Sequence, residues 1–217
     1  MALIVLEGIN ASGKKTQAEL LVHNLKRIGR KAVLIDFPSY ETPVGKLIAS
    51  YLKGYFGARS KVPPQFASLL YALDRYSRKA EIEGFLRNGY TVVLDRYTQA
   101  NLAFQTAGLS AQRRKNMLAW IEKVEEGLPK ADVVVFLDVP PSQSASLLEK
   151  RKSKIRGVRK DIHEKDAYYA KAVYDNYLRL AKEKRWLVVK CMDKGKLKGK
   201  EEISMLVFSK LRAAKII

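Results

Sequence analysis

The stretch "LEGINASGKKTQ", from Leu6 to Gln17, follows an apolar run and precedes an amphipathic segment. It resembles a phosphate-binding loop, whose pattern is Gly, any four residues, Gly, Lys and then Ser or Thr. Glycines let several backbone N–H groups turn towards an anion, and the helix that follows adds its positive end. The sequence therefore predicts an ATP-phosphate site formed by Gly8, Asn10, Ala11, Ser12, Gly13, Lys14, Lys15 and Thr16.

One position departs from this pattern, because Lys15 stands where a hydroxyl residue usually helps to hold Mg²⁺. An ammonium group has no lone pair to offer a cation. Two remedies are open: Thr16 bonds a phosphate one position later, and Asp95 holds the metal directly or through water. Asp95 and Thr16 are therefore the candidate metal residues. The alternative is a loop that binds nucleotide without catalysing a reaction.

Short β-branched runs alternate with helical patterns along the chain. Leu21, Leu25 and Ile28 fall on one face of the first helical pattern, and Gly29 marks its end. This alternation predicts an α/β fold of three layers, in which helices flank both faces of a five-stranded parallel sheet. The predicted strands are Leu3–Leu6, Ala32–Phe37, Thr91–Leu94, Val133–Leu137 and Trp186–Val189.

Polar and special residues follow the strands at their carboxyl ends. The second strand leads into "DFPSY" at Asp36–Tyr40, the third into "DRYTQ" at Asp95–Gln99, and the fourth into "LDVPP" at Leu137–Pro141. Because the carboxyl ends of parallel strands meet at one edge of the sheet, we expect these segments to share a single site with the glycine loop.

Composition limits the class of protein. The chain has 217 residues, of which 47% are hydrophobic, and it has no apolar run long enough to span a bilayer. We predict a single domain over residues 1–217, a cytoplasmic location and no membrane partner. The one cysteine, Cys191, excludes an internal disulfide, and we expect it to be buried in a strand.

The formal net charge of +19 favours polyanionic or phosphorylated ligands. Basic residues concentrate in Lys150–Lys160, where seven of eleven residues are basic, and again in Lys190–Lys200. A nucleic-acid-binding protein gated by nucleotide is therefore one alternative. Such a protein is expected to place aromatic side chains among its basic residues, and Lys150–Lys160 has none, so nucleic acid is the less favoured partner.

Several ordered blocks together resemble the thymidylate kinase family. They are "LIVLEGINASGKKTQ", "FPSYETPVGKLI", "LLYALDRYSRK", "VVLDRYTQANLAFQ", "FLDVPP" and "DIHEKDAYYAKAVYDNYLRLA". The resemblance runs from the first strand to about Ala181. It implies the P-loop NTPase fold, ATP as phosphoryl donor, Mg²⁺ as cofactor, dTMP as acceptor and a homodimer.

The resemblance also implies individual roles. Lys14, Asp95 and Arg96 match catalytic positions, and Arg75 and Arg96 match arginines that bind the acceptor phosphate. Tyr71 matches the aromatic residue that stacks on the base, and Tyr97 matches a gate against a ribose 2′-hydroxyl. Asn101 and Gln105 are expected to face the base or sugar. The implied substrate-binding residues are Phe37, Pro38, Tyr40, Tyr71, Arg75, Arg96, Tyr97, Asn101 and Gln105.

In this family a basic lid follows the fourth strand, here at about residues 150–165. Some members carry the transition-state arginine in the phosphate loop and others in the lid. Ala11 has no charge, so the chain resembles the lid-arginine type. The candidates are Arg151, Arg156 and Arg159, of which Arg151 and then Arg156 are favoured as catalytic residues.

Two departures leave the acceptor open. Tyr40 stands where family members often carry an arginine, and Asn10 stands where they often carry an acid or glycine. The sequence does not distinguish dTMP from dUMP or another pyrimidine monophosphate.

Overall fold

A computed structural model describes residues 1–154 and 166–217, with the backbone alone for residues 150–154. Its main sheet has five parallel strands in the order β2-β3-β1-β4-β5. Each end of the five predicted strands is confirmed to within one residue. The strands are β1 (Ala2–Glu7), β2 (Ala32–Asp36), β3 (Thr91–Asp95), β4 (Val133–Asp138) and β5 (Leu187–Lys190).

Helices connect these strands, and one further helix follows the last strand. The first ends at Arg27, and Gly29 follows with a φ of 79°, which closes the helix as predicted. The helices are α1 (Lys14–Arg27), α2 (Pro43–Leu52), α3 (Pro64–Ser77), α4 (Lys79–Arg87), α5 (Thr98–Gln105), α6 (Ala111–Val124), α7 (Pro141–Lys154), α8 (Ala167–Glu183) and α9 (Lys200–Ala213).

Alternating residues of β1 pack against opposite layers of helices. Leu3 and Val5 belong to a core shared with α4, α5, α6 and α8. Ile4 and Leu6 belong to a second core shared with α1 and α9. Since successive side chains of a strand point to opposite faces, this division confirms the three-layer prediction.

The second basic cluster contains a short hairpin that the sequence did not predict. Its strands are β6 (Met192–Asp193) and β7 (Lys196–Leu197). Cys191 is buried as expected, but it lies between β5 and β6 instead of within a strand. Burial raises the pKa of its thiol to about 12, so the thiol is unreactive at neutral pH.

The lid predicted at about residues 150–165 falls largely outside the described residues. Arg156 and Arg159 lie in the part that is not described, and Arg151 lies in α7 with its side chain outside the description. Across the described ranges, no helix is both long and apolar enough to cross a membrane.

The start of α2 packs closely against the loop that follows β2. Thr42 caps this helix by accepting a hydrogen bond of 3.0 Å from the Gly45 N–H. A Cβ atom at Gly45 would lie 1.9 Å from the Ser39 carbonyl oxygen. The absence of a side chain at Gly45 therefore allows α2 to hold the Phe37–Tyr40 loop in place.

We expect Gly45→Ala to lower the free energy of unfolding by about 1–3 kcal/mol, because the added methyl group overlaps the Ser39 backbone. Gly84→Ala in α4 is the matched control, since nothing lies within 4 Å of a Cβ there. That control should raise the free energy of unfolding by about 0.5–1 kcal/mol through helix propensity. Urea unfolding measures both values, and equal effects of the two substitutions would contradict the prediction.

Candidate active site

The glycine loop turns tightly between β1 and α1. Gly13 precedes α1 with a φ of 85°, a conformation that favours glycine. A Cβ at Gly8 would lie 2.6 Å from Ser12 Oγ and 3.1 Å from the Leu137 carbonyl oxygen. The two glycines thus allow a turn that crosses the end of β4 closely and directs the backbone towards the N-terminus of α1.

Lys14 is buried inside this loop. Its Nζ donates to the Ile9 carbonyl oxygen at 2.7 Å and to Ser12 Oγ at 3.3 Å. Burial first and the charge of Arg96 second lower its pKa, while Asp95 and Glu7 oppose the shift, and together these effects place the pKa at about 7. A phosphate that enters the loop would favour the charged ammonium, so the lysine is suited to an anionic ligand.

Asp95 and Arg96 lie at the end of β3, beside the loop. Asp95 Oδ1 is buried and has no hydrogen-bond partner among the described residues. Burial raises the pKa of its carboxyl, while Lys14 and Arg96 lower it. A buried carboxylate oxygen without a partner fits an acceptor for a hydrated cation, which is the role predicted for Asp95.

Arg96 joins the glycine loop to the neighbouring cleft. Its Nη1 donates to the Gly8 carbonyl oxygen at 3.1 Å and to Tyr177 Oη at 3.3 Å, and its Nη2 donates to Asn10 Oδ1 at 2.6 Å. The guanidinium carbon lies 5.0 Å from the centre of the Phe104 ring. All three hydrogen-bond acceptors are uncharged, so they orient the guanidinium without neutralising it.

Glu7 is a site residue that sequence reasoning did not select. It is completely buried, and its Oε1 accepts a hydrogen bond of 2.9 Å from the Tyr97 N–H. Its Oε2 accepts one of 2.7 Å from the Tyr177 hydroxyl. Burial raises the pKa of the Glu7 carboxyl, and Arg96 opposes this. A carboxylate in an otherwise apolar buried strand was the signal available in the sequence.

A cleft opens beside Arg96, and Asn10 of the glycine loop also lines it. Eight of the nine predicted substrate-binding residues are brought together in its lining, and Leu52, Asp74, Ala100 and Phe104 join them. The eight are Phe37, Pro38, Tyr40, Tyr71, Arg75, Arg96, Asn101 and Gln105.

Tyr97, the ninth, is not in the lining. Its side chain is only 1% exposed, and its ring packs 5.8 Å from that of Phe37, which does line the cleft. The residue precedes α5 in an extended conformation, which turns the ring into the core. The expected gate against a 2′-hydroxyl is therefore not supported at the cleft surface.

Arg75 and Asn101 share an acceptor, the Glu125 carboxylate. Arg75 forms an ion pair with Glu125, and both side chains are 3% exposed. The Asn101 amide nitrogen donates to Glu125 Oε1 at 3.0 Å and to the Ser68 carbonyl oxygen at 3.1 Å. These contacts leave Arg75 Nε and Asn101 Oδ1 buried without hydrogen-bond partners among the described residues. One donor and one acceptor therefore remain for a ligand.

Two further residues missed from the sequence hold the Phe37–Tyr40 loop. Asp74 Oδ2 accepts a hydrogen bond of 2.9 Å from the Ser39 N–H, and Arg78 Nη1 donates to Ser39 Oγ at 3.2 Å. Arg78 also pairs with Glu81. The loop is therefore held from α3 and from the junction of α3 and α4, as well as by α2.

Lys15 and Thr16 lie on the exposed side of the first turn of α1. Lys15 Nζ lies 3.4 Å from Asp36 Oδ2. The geometry of the described residues assigns Thr16 to neither a metal nor a phosphate, so its role remains a prediction from the sequence.

We expect Asn10→Leu to raise the KM for the predicted acceptor monophosphate about tenfold, because the apolar side chain removes the amide oxygen that orients the Arg96 guanidinium. Steady-state kinetics at a saturating concentration of the phosphoryl donor measure the change. Asn116→Leu is the matched control, since Asn116 is exposed on α6 and bonds only to Gln112 among the described hydrogen bonds. A KM within twofold of wild type for Asn10→Leu would contradict a role of this hydrogen bond in positioning Arg96.

Comparison with known proteins points to one family. The family model for thymidylate kinase matches residues 6–203. A Plasmodium falciparum thymidylate kinase is 31% identical over 85% of this chain and 79% of its own length. A human thymidylate kinase is 37% identical over 66% of this chain and 64% of its own length.

A solved structure of thymidylate kinase from Candida albicans superimposes with a TM-score of 0.77 at 27% sequence identity. The match covers 99% of this chain and 92% of the other, so the likeness extends over the sheet, the loop and the cleft together. The loop, the Asp95-Arg96 tip and the cleft lie together at one edge of the sheet, and by its match to the family model and to its relatives the chain belongs to the thymidylate kinase family.

Proposed function

We propose that this protein transfers the γ-phosphoryl group of ATP to dTMP, giving dTDP and ADP in deoxythymidine nucleotide synthesis. Membership of the family implies ATP as the phosphoryl donor. The observation that carries the proposal is the position of Arg96, which is tethered to the glycine loop and also lines the cleft. One guanidinium thus lies between a donor phosphate site and an acceptor site.

On the donor side, the loop amides and Lys14 bind the ATP phosphates. The ammonium group of Lys14 leaves its contacts with Ile9 and Ser12 and approaches the terminal phosphates, where the negative charge raises its pKa. Asp95 is suited to hold Mg²⁺ through water, because its buried Oδ1 is without a partner among the described residues. When bound, Mg²⁺ neutralises charge on the β- and γ-phosphates.

On the acceptor side, Asn101 and Arg75 read the base. Thymine and uracil present an N3–H donor and an O4 acceptor, which match the available Asn101 Oδ1 and Arg75 Nε. Cytosine presents the opposite pattern at both positions. Because Glu125 neutralises Arg75, we assign this arginine to the base and leave the acceptor phosphate to Arg96. Tyr71 remains the proposed stacking partner.

The transfer itself joins an acceptor phosphate oxygen to the γ-phosphorus and breaks the bond to the oxygen that bridges the β- and γ-phosphates. Positioning and charge stabilisation supply the catalysis. Lys14 and Arg96 approach the transferring group from the loop and from β3. Arg151, and then Arg156, are the proposed lid arginines, and closure of the lid would exclude water.

Three alternatives are distinguished by one assay. A dUMP kinase would use the same base contacts, since uracil differs from thymine only by the methyl group. A binding protein without turnover would retain ATP affinity. The comparisons favour a kinase over a nucleic-acid-binding protein, since the relatives named above are thymidylate kinases.

A coupled ADP-release assay with thymidylate, uridylate, cytidylate and purine monophosphates tests the proposal. We expect turnover with dTMP, weaker turnover with dUMP, and the least with cytidylate among the pyrimidines, because both of its base contacts are mismatched. Arg96→Ala should lower kcat by about 100-fold or more while ATP still binds. Arg87→Ala is the control, since Arg87 is 71% exposed on α4. No ADP formation with any monophosphate would refute the kinase assignment.

We also propose that the protein is cytoplasmic. We further propose that it forms a homodimer through α3. Four large side chains form an exposed stripe along α3: Phe66 at 36%, Leu69 at 48%, Leu73 at 52% and Tyr76 at 37%. Their spacing places them on one side of the helix. An apolar stripe of this kind suits the same stripe of a second copy across a two-fold axis.

We expect Leu73→Glu to convert the dimer to a monomer, because it would bury two charges at the centre of the interface. Sedimentation velocity measures the change. Leu178→Glu is the matched control, since Leu178 is 38% exposed on α8. A wild-type protein that sediments as a monomer, or a Leu73→Glu variant that remains dimeric, would contradict this proposal.

A further inference from the structure

Lys15 has a specific partner in this fold. Its Nζ lies 3.4 Å from Asp36 Oδ2, with the two side chains 65% and 40% exposed. Asp36 is the last residue of β2, whereas Lys15 belongs to the first turn of α1. The residue that replaces the usual hydroxyl therefore contacts a carboxylate that the sequence analysis did not select for any role.

Asp36 and Asp95 occupy matching positions on neighbouring strands. The parallel register of β2 and β3 pairs Asp36 with Asp95 directly. Along the same strands, Val93 belongs to the core shared with α1, and the partly buried Leu34 packs against that core. Because alternate residues of a strand share a face, both carboxylates lie on the α1 side, where Lys14 and Lys15 begin that helix.

Each of these two carboxylates has an oxygen without a partner. Asp36 Oδ1 and Asp95 Oδ1 are both buried and make no hydrogen bond to any described residue. The two groups are close enough for the charge of Asp36 to raise the pKa of Asp95, an effect that is smaller than those of burial, Lys14 and Arg96. Two neighbouring anionic oxygens that lack donors are suited to a cation or its water shell.

We propose that Asp36 and Asp95 together form the carboxylate pair that holds the hydrated Mg²⁺ of bound ATP, with Asp36 taking over from the missing hydroxyl at position 15. This inference rests on the proposed function. Mg²⁺ in phosphoryl-transfer sites keeps several waters and uses one or two protein carboxylates in addition to the substrate phosphates. Asp36 and Asp95 are the two carboxylates that the described residues place beside the glycine loop for this purpose.

Lys15 has a definite part in this arrangement. In the nucleotide-free protein its ammonium balances the charge of Asp36, which stands beside a second carboxylate. It gives up this contact when Mg²⁺ and ATP bind, and its exposed side chain can then point to solvent. Lys15 therefore competes with the metal for Asp36 and is not itself a ligand.

The test compares the affinity of a non-hydrolysable ATP analogue in excess Mg²⁺ with its affinity in EDTA, measured by calorimetry. The ratio of the two affinities reports how strongly the protein holds the metal with the nucleotide. We expect Asp36→Asn to lower this ratio by about 10-fold or more, in the range for partners that act through a metal's outer shell. Affinity in EDTA should stay at the wild-type value or rise, because a negative charge near the phosphates is removed.

Asp175→Asn is the matched control, because Asp175 pairs with Lys171 on the surface of α8 with similar exposures of 52% and 69%. It should leave the ratio unchanged. Lys15→Ser is the second variant and should raise the ratio, since it removes the competing ammonium and restores a hydroxyl ligand. Thermal melting confirms that each variant is folded.

The outcomes separate this inference from the proposed function. An unchanged ratio in Asp36→Asn, or a lowered ratio in Lys15→Ser, overturns the inference. The kinase assignment is then unaffected, because the ADP-release assay tests it separately. A wild-type protein that binds no nucleotide under either condition overturns both together.

Discussion

The active site depends on a single buried carboxylate, that of Glu7. It lies at the end of β1 and accepts hydrogen bonds from the Tyr97 N–H and the Tyr177 hydroxyl. The strand that begins the glycine loop is thereby joined to the tip of β3 and to α8. The Tyr177 hydroxyl also accepts a hydrogen bond from Arg96. Glu7 therefore helps to position the Arg96 guanidinium, although Glu7 itself contacts no substrate in the proposed reaction.

The two arginines that line the cleft have different proposed roles because their hydrogen-bond partners differ in charge. Arg75 is neutralised by Glu125 in a buried ion pair, which suits a neutral base. Arg96 is held by a carbonyl, an amide and a phenol, and it interacts with the Glu7 and Asp95 carboxylates at longer range. Because none of its described hydrogen bonds goes to a carboxylate, we assign the acceptor phosphate to this guanidinium. Family resemblance assigned phosphate to both residues, because a motif identifies a guanidinium and not what neutralises it. The partners are distant in sequence, and only folding brings them together.

The patterns that repeat within a few residues were predicted well. Strand positions, the helix after the loop and the shared edge of the sheet followed from local periodicity and from the rule for parallel strands. Features that depend on long-range packing were missed: the inward turn of Tyr97, the support of the Phe37–Tyr40 loop by Asp74 and Arg78, and the β6–β7 hairpin.

The sequence by itself determined that a phosphate loop follows the first strand and that Lys15 removes its usual metal ligand. Those properties depend only on the types and spacing of residues within the short glycine loop. Only the tertiary structure decided that Asp36 and Asp95 are paired in register beside Lys15. They are 59 positions apart in the numbering of the chain, and parallel strand pairing is the physical reason that two distant carboxylates meet at one nucleotide site.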